Sequence, residues 1–394
     1  MALSPLDGIT VVSFEHAIAA PLCTRLLAEL GARVVKIERR ETGDFARYYD
    51  NRVNGQSSHF IWTNRSKRSI TLDLKHPVAG SILQRLLAQA DVLVQNLAPG
   101  AAAKMGMGFG DLATQFPQLI VCNISGYGDT GPYKHKKAYD LLVQAEAGFL
   151  SITGTPDAMA KSGISIADIA AGTQAHSAIL AALIQRSRSG KGSEISISML
   201  EAMAEWMGYP LYYSYQGAEA PHRSGTDHAS IFPYGAFTSS DQQSIMLGLQ
   251  NDREWQVFCE DVLQEPMLVS DMLFQNNAAR STNREKLRRI IQTKFGSLPL
   301  QQIATQLDKA SIAYAHIRTM QDVWNHPQLK ALNRFIEFDT PAGPVTGLRP
   351  PGNNSSFAPV ISAVPGIGEH TRDVLQELGF TDAEVELFYR DEVV

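Results

Sequence analysis

Short β-branched runs alternate with helical segments through the first 200 residues, and this alternation limits the fold more than any single motif does. Residues 9–14 (Ile-Thr-Val-Val-Ser-Phe), 33–37 (Arg-Val-Val-Lys-Ile), 69–73 (Ser-Ile-Thr-Leu-Asp), 91–95 (Asp-Val-Leu-Val-Gln) and 119–123 (Leu-Ile-Val-Cys-Asn) each read as a strand. Helical stretches separate several of them. The first runs from 21 to 30, with Pro21 near its start and Gly31 just past its end. Strands joined by helical crossovers pair in parallel, in a sheet covered by helices. The expected fold class is therefore α/β, with a large domain beginning over residues 1–205. At 206–233 His, Ser, Gly, Thr and Pro interrupt the pattern and suggest a linker. Residues 234–328 read as a smaller α+β domain, with strands near 236–238 and 244–248 and helices starting at Asp252, Thr282 and Leu300. Residues 329–394 return to strands, including 334–338, and pass two Pro- and Gly-rich loops. They end in a final helix over 370–378, closed by Gly379.

The 394 residues suffice for two domains, and 44% hydrophobic with 19% charged residues is ordinary for a globular chain. A formal net charge of -5 argues against nucleic acid as a partner, so a polyanionic ligand has to find a local basic patch. The three cysteines, Cys23, Cys122 and Cys259, form neither a disulfide framework nor a metal pattern. The reducing cytoplasm is the expected location. The N-terminal residues show no signal-peptide pattern. The most apolar stretch, 166–184, carries Asp168, Gln174 and His176, so it reads as a buried helix and not as a membrane span.

The first strand–helix junction, 14–21 (Phe-Glu-His-Ala-Ile-Ala-Ala-Pro), contains no glycine. The tight pyrophosphate turn of the dinucleotide fold needs glycines there, so neither nicotinamide nor flavin is expected. Small residues at a helix start still leave backbone N–H groups open to a ligand. Basic residues gather at element ends: Lys36, Arg39 and Arg40 by the second strand, Arg65, Lys67 and Arg68 before the third, Lys75 after it, then Lys104 and the run 134–137. Each cluster alone reads equally as a solvated face. Several of them near strand ends of one sheet point to a phosphate-rich ligand. Asp168 lies among Gly and Ala at the head of a long helix, where a ligand could approach closely. It reads as a covalent nucleophile or as a helix cap. Asp140 is a second candidate for either role. No hydrolase elbow, zinc-peptidase or P-loop motif is present.

Taken in order, several segments resemble the class III coenzyme A transferase family, the group that also includes α-methylacyl-CoA racemase. They are 5–9 (Pro-Leu-Asp-Gly-Ile), 30–38 (Leu-Gly-Ala-Arg-Val-Val-Lys-Ile-Glu), 64–75, 95–100 (Gln-Asn-Leu-Ala-Pro-Gly), 124–128 (Ile-Ser-Gly-Tyr-Gly), Tyr139–Asp140, 190–192, 368–371 and 378–380. The resemblance implies a Rossmann-like large domain assembled from both chain ends, a smaller domain between, and an interlocked homodimer. It implies coenzyme A or an acyl-CoA as substrate, a small carboxylic acid as acceptor, and no metal. The family's nucleophile falls on Asp168. Its coenzyme contacts fall on Ile18, Ala19, Arg39, Leu72, Asp73, Lys75, Asn96, Leu97, Ala98, Lys104, Lys137, Tyr139 and Asp140.

The chain departs from formyl-CoA transferase at Ile18, where that enzyme has Gln, and shows no glycine-rich lid after the linker. Formate and oxalate are therefore not the expected substrates. Racemases carry a His where this chain has Tyr139, and a glutamate near Gly248 where it has Asn251. A phenol is a poor base near pH 7, which favours transfer over racemisation. The segments 222–234 and 249–255 resemble the branch acting on small dicarboxylates. Cations for a distal carboxylate would come from His16, Arg47, Arg223 or His228. Succinyl-CoA is the expected donor, with itaconate, mesaconate, malate, citramalate or glutarate as acceptor. Racemisation, intramolecular transfer of CoA between two carboxyls, and a non-catalytic CoA-binding module stay open as alternatives.

Overall fold

The computed structural model describes residues 3–394; Met1 and Ala2, the head of the segment read for a signal peptide, lie outside the described residues. The chain divides into two compact units. One comprises the residues up to Gly148, Ser162–Tyr209 and Leu329–Val394; the other comprises Phe149–Lys161 and Pro210–Gln328.

The first unit is built on a six-stranded parallel sheet. Its strands are β1 (Thr10–Phe14), β2 (Arg33–Glu38), β3 (Arg68–Thr71), β4 (Val92–Gln95), β5 (Ile120–Ser125) and β6 (Glu194–Ser198), in the order β3-β2-β1-β4-β5-β6. All five pairings are parallel, so the carboxyl ends of the six strands share one edge. The inner strands are apolar and buried on both faces, as a helix-covered parallel sheet requires. The order reverses between β1 and β4. In a Rossmann-like sheet that reversal opens a crevice outside the strand ends.

Helix α1 (Ala19–Glu29) follows β1, α2 (Ser58–Asn64) precedes β3, and α3 (Ala79–Ala88) follows β3. Helix α4 (Asp140–Glu146) leads toward the longest helix, α5 (Ile166–Ser189), which is closed by Gly190 in the left-handed conformation. Helix α5 is long and apolar enough to cross a bilayer, yet it packs along α1. The expectation of a buried helix holds for one face only. Ala167, Ala170, Ala171, Gly172, Ala175 and Ile179 are buried, while Ile184 is 57% exposed. The small residues form the stripe that meets α1, and among the described residues much of the helix's other side stays partly exposed.

The second unit carries a three-stranded antiparallel sheet, β7 (Tyr234–Thr238), β8 (Ser244–Gly248) and β9 (Tyr314–His316), with β8 in the middle. Helices α6 (Arg284–Phe295) and α7 (Leu300–Lys309) bury Leu287, Ile291, Phe295, Ile303 and Leu307 against Phe237, Trp255, Phe258 and Phe274. Residues 149–161 group with this unit, although the sequence reads them with the first. Their carbonyls explain it: Gly154 O accepts from Gly225 N at 2.8 Å, and Arg223 donates to Thr155 O and Pro156 O at 2.9 and 2.8 Å. The stretch read as a linker is partly helical, over Gly208–Tyr213.

The return segment adds the antiparallel pair β10 (Phe335–Phe338) and β11 (Val345–Leu348) and two helices, α8 (Thr371–Glu377) and α9 (Asp382–Arg390). It covers the open edge at β3, where bare N–H and C=O groups would otherwise invite pairing with another chain. His370 N donates to Ser69 O at 2.9 Å, and Thr71 N donates to Thr371 Oγ1 at 3.0 Å. Glu377 takes Arg33 and Arg68 together.

The helix expected to be the last, ending at Gly379, is followed by α9, which the sequence reading did not include. Its start carries a capping box from Thr381 and Glu384. Strand β6 also escaped the sequence reading. Phe388, 6% exposed, lies in the sheet's core with Val374, Leu375 and Phe380. Phe388→Ala is expected to lower urea-measured stability by about 3–5 kcal/mol. Leu387→Ala, at a position 40% exposed, should cost no more than about 0.5 kcal/mol. Equal losses would show that α9 does not dock as described.

Candidate active site

The segment after β1 approaches the site through an unusual turn. Ala17 has a φ of 61°, a conformation that costs any residue with a Cβ. Three contacts hold the turn. Ala17 N donates to Asp44 Oδ1 at 3.2 Å. His16 N donates to Asn96 Oδ1 at 2.9 Å, and Asn96 Nδ2 donates back to His16 O at 2.9 Å. Asn96 follows β4, so this reciprocal pair ties together the two strand ends that flank the switch point.

A buried ionic cluster lies beneath the turn. Lys36, fully buried in β2, donates to Asp44 Oδ2 at 2.7 Å and Asn64 Oδ1 at 3.0 Å. Lys67 donates to Glu15 Oε1 at 2.7 Å, Pro21 O at 2.9 Å and Asn64 Oδ1 at 3.0 Å. Burial pulls the Lys36 amine down, but Asp44, Glu15 and Glu38 outweigh it and the pKa is raised. Burial dominates at Lys67, where Glu15 compensates only in part, and the amine falls to about 8. These two lysines, with Arg65 paired to Glu29 at 2.6 Å, are therefore not surface cations for a phosphate-rich ligand. The sequence reading of their clusters is corrected accordingly: local charge density carries no information on depth.

With the turn fixed, Ile18 caps α1 without any side-chain hydrogen bond, and the backbone of Ala19 opens the helix. Asp168, in the first turn of α5, receives a backbone hydrogen bond from Ala19. Gly172, one turn further along α5, makes that approach possible. A Cβ at this position would stand 2.6 Å from Ala19 O.

Asp168 is not the cap of its own helix. Asp140 reaches across from α4 instead: its Oδ1 accepts from Ala167 N at 2.7 Å and Asp168 N at 3.3 Å, and its Oδ2 accepts from Gln144 Nε2 at 2.6 Å. Asp168 is partly buried and joins no ion pair among the described residues. Burial, then the neighbouring Asp140 charge, push its carboxyl up to about 7, against the one stabilising contact from Ala19. A carboxyl perturbed this far, beside open backbone donors and with no cation to balance it among the described residues, is a candidate functional position.

The other candidate residues separate by location. Ile18, Ala19, Arg39, Leu72, Asp73, Lys75, Asn96, Leu97 and Ala98 all follow carboxyl ends of the sheet strands. Lys104, Lys137, Tyr139 and Asp140 lie in later segments on connections leaving that edge. Arg39, Lys75, Lys104 and Lys137 are exposed and form no ion pair among the described residues. Leu72 is 3% exposed, which leaves only its backbone to meet a ligand.

The expected distal-carboxylate cations fare less well. Arg47 is bound to Glu38, at 2.9 Å through Nε and 2.6 Å through Nη2, and lies over the Phe60 ring at 3.7 Å. His16 is driven toward the neutral form, mainly by burial. Arg223 serves two carbonyls, and His228 stacks on Tyr234 while its Nδ1 accepts from Ile231 N at 3.1 Å; both belong to the second unit. Asn251 caps a helix through Glu254 N at 2.9 Å. The sequence reading missed Asp44, Lys36, Lys67 and Gly172 as site supports. The aromatic run at Phe45, Tyr48 and Tyr49 was the available signal.

Comparison with known proteins identifies the family and the fold. The family described as CoA-transferase family III matches residues 6–371. Succinyl-CoA:glutarate CoA-transferase from Mus musculus is 32% identical over 381 residues, covering 96% of this chain and 87% of the relative. The succinate–glutarate CoA-transferase of Agrobacterium fabrum is also 32% identical, covering 95% of this chain and 96% of the relative. A crystal structure of a CAIB/BAIF family protein from Brucella suis superposes with a TM-score of 0.84 at 33% identity, covering 95% of this chain and 99% of that one.

The shift at Asp168 has a consequence for stability. Below the carboxyl's unfolded pKa of about 4, both states are protonated and the shift is silent. As pH rises to 7 the unfolded chain ionises freely while the folded one resists, and above 7 the folded state bears the full penalty. Asp168→Asn should therefore melt at increasingly higher temperatures than the unsubstituted protein as pH rises from 5 to 8. A melting difference that stays flat across a thermal-shift series would remove the linkage.

Proposed function

The chain belongs to family III of the CoA-transferases, and we propose that it moves coenzyme A from succinyl-CoA to a small dicarboxylic acid with Asp168 as the nucleophile. The observation that carries this reading is the Asp168 carboxyl itself. It is unpaired, raised to about 7, and set against the Ala19 backbone at the switch point. The dicarboxylate class is supported by the relatives named for succinate and glutarate.

In the proposed cycle an Asp168 oxygen attacks the thioester carbonyl. The C–S bond breaks, giving an aspartyl mixed anhydride and the CoA thiolate. The thiolate attacks the aspartyl carbonyl and releases the donor's carboxylate, leaving an aspartyl–CoA thioester. The acceptor carboxylate attacks that carbonyl, forming a second anhydride and expelling the thiolate. The thiolate then takes the acceptor's acyl group and frees Asp168. Each step exchanges one activated carbonyl for another, so covalent catalysis divides the reaction into steps of similar energy. Backbone N–H groups at the start of α1, which no side chain caps, are suited to the developing oxyanion.

Exposed Arg39, Lys75, Lys104 and Lys137 are the proposed phosphate contacts, and Asn96–Ala98 with Tyr139–Asp140 complete the coenzyme site. Tyr139 at the racemase histidine position leaves no base beside Asp140, so transfer is preferred to racemisation. The uncovered face of α5 is proposed to be closed by a second copy in a homodimer. The three free cysteines are all buried and suit the proposed cytoplasmic setting.

Succinyl-CoA offered with single dicarboxylates, read by mass spectrometry, should yield the acceptor's CoA ester. If no dicarboxylate is charged, the substrate class is wrong. Asp168→Ala should abolish exchange, and hydroxylamine should trap an Asp168 adduct only in the presence of acyl-CoA. Solvent deuterium entering the α-carbon without an acceptor would instead establish the racemase. The kcat/KM for acyl-CoA should fall about tenfold per pH unit below 7 as the free carboxyl protonates. Gly172→Ala, which displaces Asp168 from Ala19, should lower kcat on the order of 100-fold. Unchanged kcat in that variant would remove Ala19 from the mechanism.

A further inference from the structure

A row of rings leaves the switch point on the first unit. His16 stacks on Phe45 with centroids 5.4 Å apart, Phe45 tilts against Tyr49 at 5.8 Å, and Tyr49 meets His59 edge-on at 5.3 Å. Burial, then the charges of Asp44, Asp168 and Tyr139, push the Tyr49 phenol up to about 12, so the middle of the row lies within the field of Asp168. Phe45 and Tyr49 are 47% and 48% exposed, so the row offers an apolar surface.

The far end of the row is polar and fixed. His59 Nδ1 lies 3.2 Å from Asp50 Oδ2, and Asp50 also accepts from Ser58 N at 2.9 Å, Ser58 Oγ at 2.8 Å and Arg52 N at 3.0 Å. Burial opposes ionisation of Asp50, but these donors hold its carboxyl well below the usual range. A carboxylate that can only accept sets the imidazole with Nδ1–H inward and Nε2 outward. No hydrogen bond occupies Nε2 among the described residues, and the side chain is 43% exposed. The other basic groups bordering the row are engaged: Lys36 and Lys67 in the buried cluster, and Arg47 with Glu38.

We infer that His59, held by Asp50, receives the distal carboxylate of the acceptor acid, while Phe45 and Tyr49 pack along its methylene chain. With Nδ1 held by Asp50, Nε2 is the ring atom that meets the substrate. This rests on the dicarboxylate reading above and adds the residue that selects for it.

A partition experiment tests both separately. Enzyme charged from succinyl-CoA is offered equal glutarate and pentanoate, which carries a methyl in place of the distal carboxylate, and the two CoA esters are quantified by mass spectrometry. The product ratio reports only molecules that turn over, so it is insensitive to the fraction folded. Glutaryl-CoA should dominate with the unsubstituted enzyme. His59→Gln should lower the glutaryl-to-pentanoyl ratio at least about tenfold, and His59→Lys should restore most of it. If His59→Gln yields no soluble enzyme, Asp50→Asn is read the same way and should lower the ratio several-fold. An unchanged ratio in the variants overturns the role of His59 and leaves the dicarboxylate reading intact. No preference for glutarate in the unsubstituted enzyme overturns both.

Discussion

Two buried lysines hold the site in shape. Lys36 and Lys67 converge on Asn64 Oδ1 and carry Asp44 and Glu15 with them. Removing charges from water is costly, and such a cluster adds little net stability over an apolar replacement of the same shape. Losing one member, however, strands the others and costs about 3–5 kcal/mol. What the cluster secures is position. Asp44 fixes the strained Ala17 turn, Lys67 fixes Pro21 in the first turn of α1, and Glu15 joins the two lysines. The backbone between Glu15 and Pro21 is thereby held at both ends, and Ala19 is inside that span. A glycine-rich turn would be free to move around a pyrophosphate. This one is braced from below and presents fixed donors.

The sheet topology decides where those donors point. Because β1 and β4 are neighbours and their connections diverge to opposite sides, the segments 15–18 and 96–98 meet across an open crevice. Asn96 bridges it through the backbone of His16, and α5 enters with its small-residue stripe against α1. Bulk anywhere on that stripe would lift Asp168 away. The return segment contributes from a distance: it caps the β3 edge, so the half of the sheet carrying the lysine cluster is not exposed to exchange with other strands.

Much of this was legible in the sequence, for identifiable reasons. The inner strands β1 and β4 are buried along nearly their whole length and so appear as short, mostly apolar runs. Asp168 stood out because Gly and Ala surround it, and those residues are small for the steric reason the α1 contact supplies. Lys36 and Lys67 were misread because a charged side chain looks the same in sequence whether its partner is water or a carboxylate 8 or 52 residues away. Helix α9 was missed although Thr381 and Glu384 spell a capping box, because Gly379 already provided a stop two residues earlier. The membership of 149–161 depends on carbonyls meeting Arg223 and Gly225, a contact between segments with no periodicity to announce it. The wall of rings at 45–59 was overlooked for a related reason: of the cations considered for a distal carboxylate, His16, Arg47, Arg223 and His228, the one within 45–59 was Arg47, and it had a buried carboxylate to satisfy.

The two aspartates at the head of α5 divide one task between them. Asp140 accepts three hydrogen bonds, two of them the backbone donors that a first-turn carboxylate of α5 could otherwise have used. Asp168 is left with Ala19 alone and with a like charge nearby. A carboxylate satisfied by several donors is stable and a poor nucleophile, whereas one deprived of them keeps its basicity at the cost of stability. Capping α5 from another helix is thus what leaves the Asp168 carboxyl raised, as its proposed role requires. If Asp168 capped its own helix, the donors that stabilised the fold would also lower the basicity of its carboxylate.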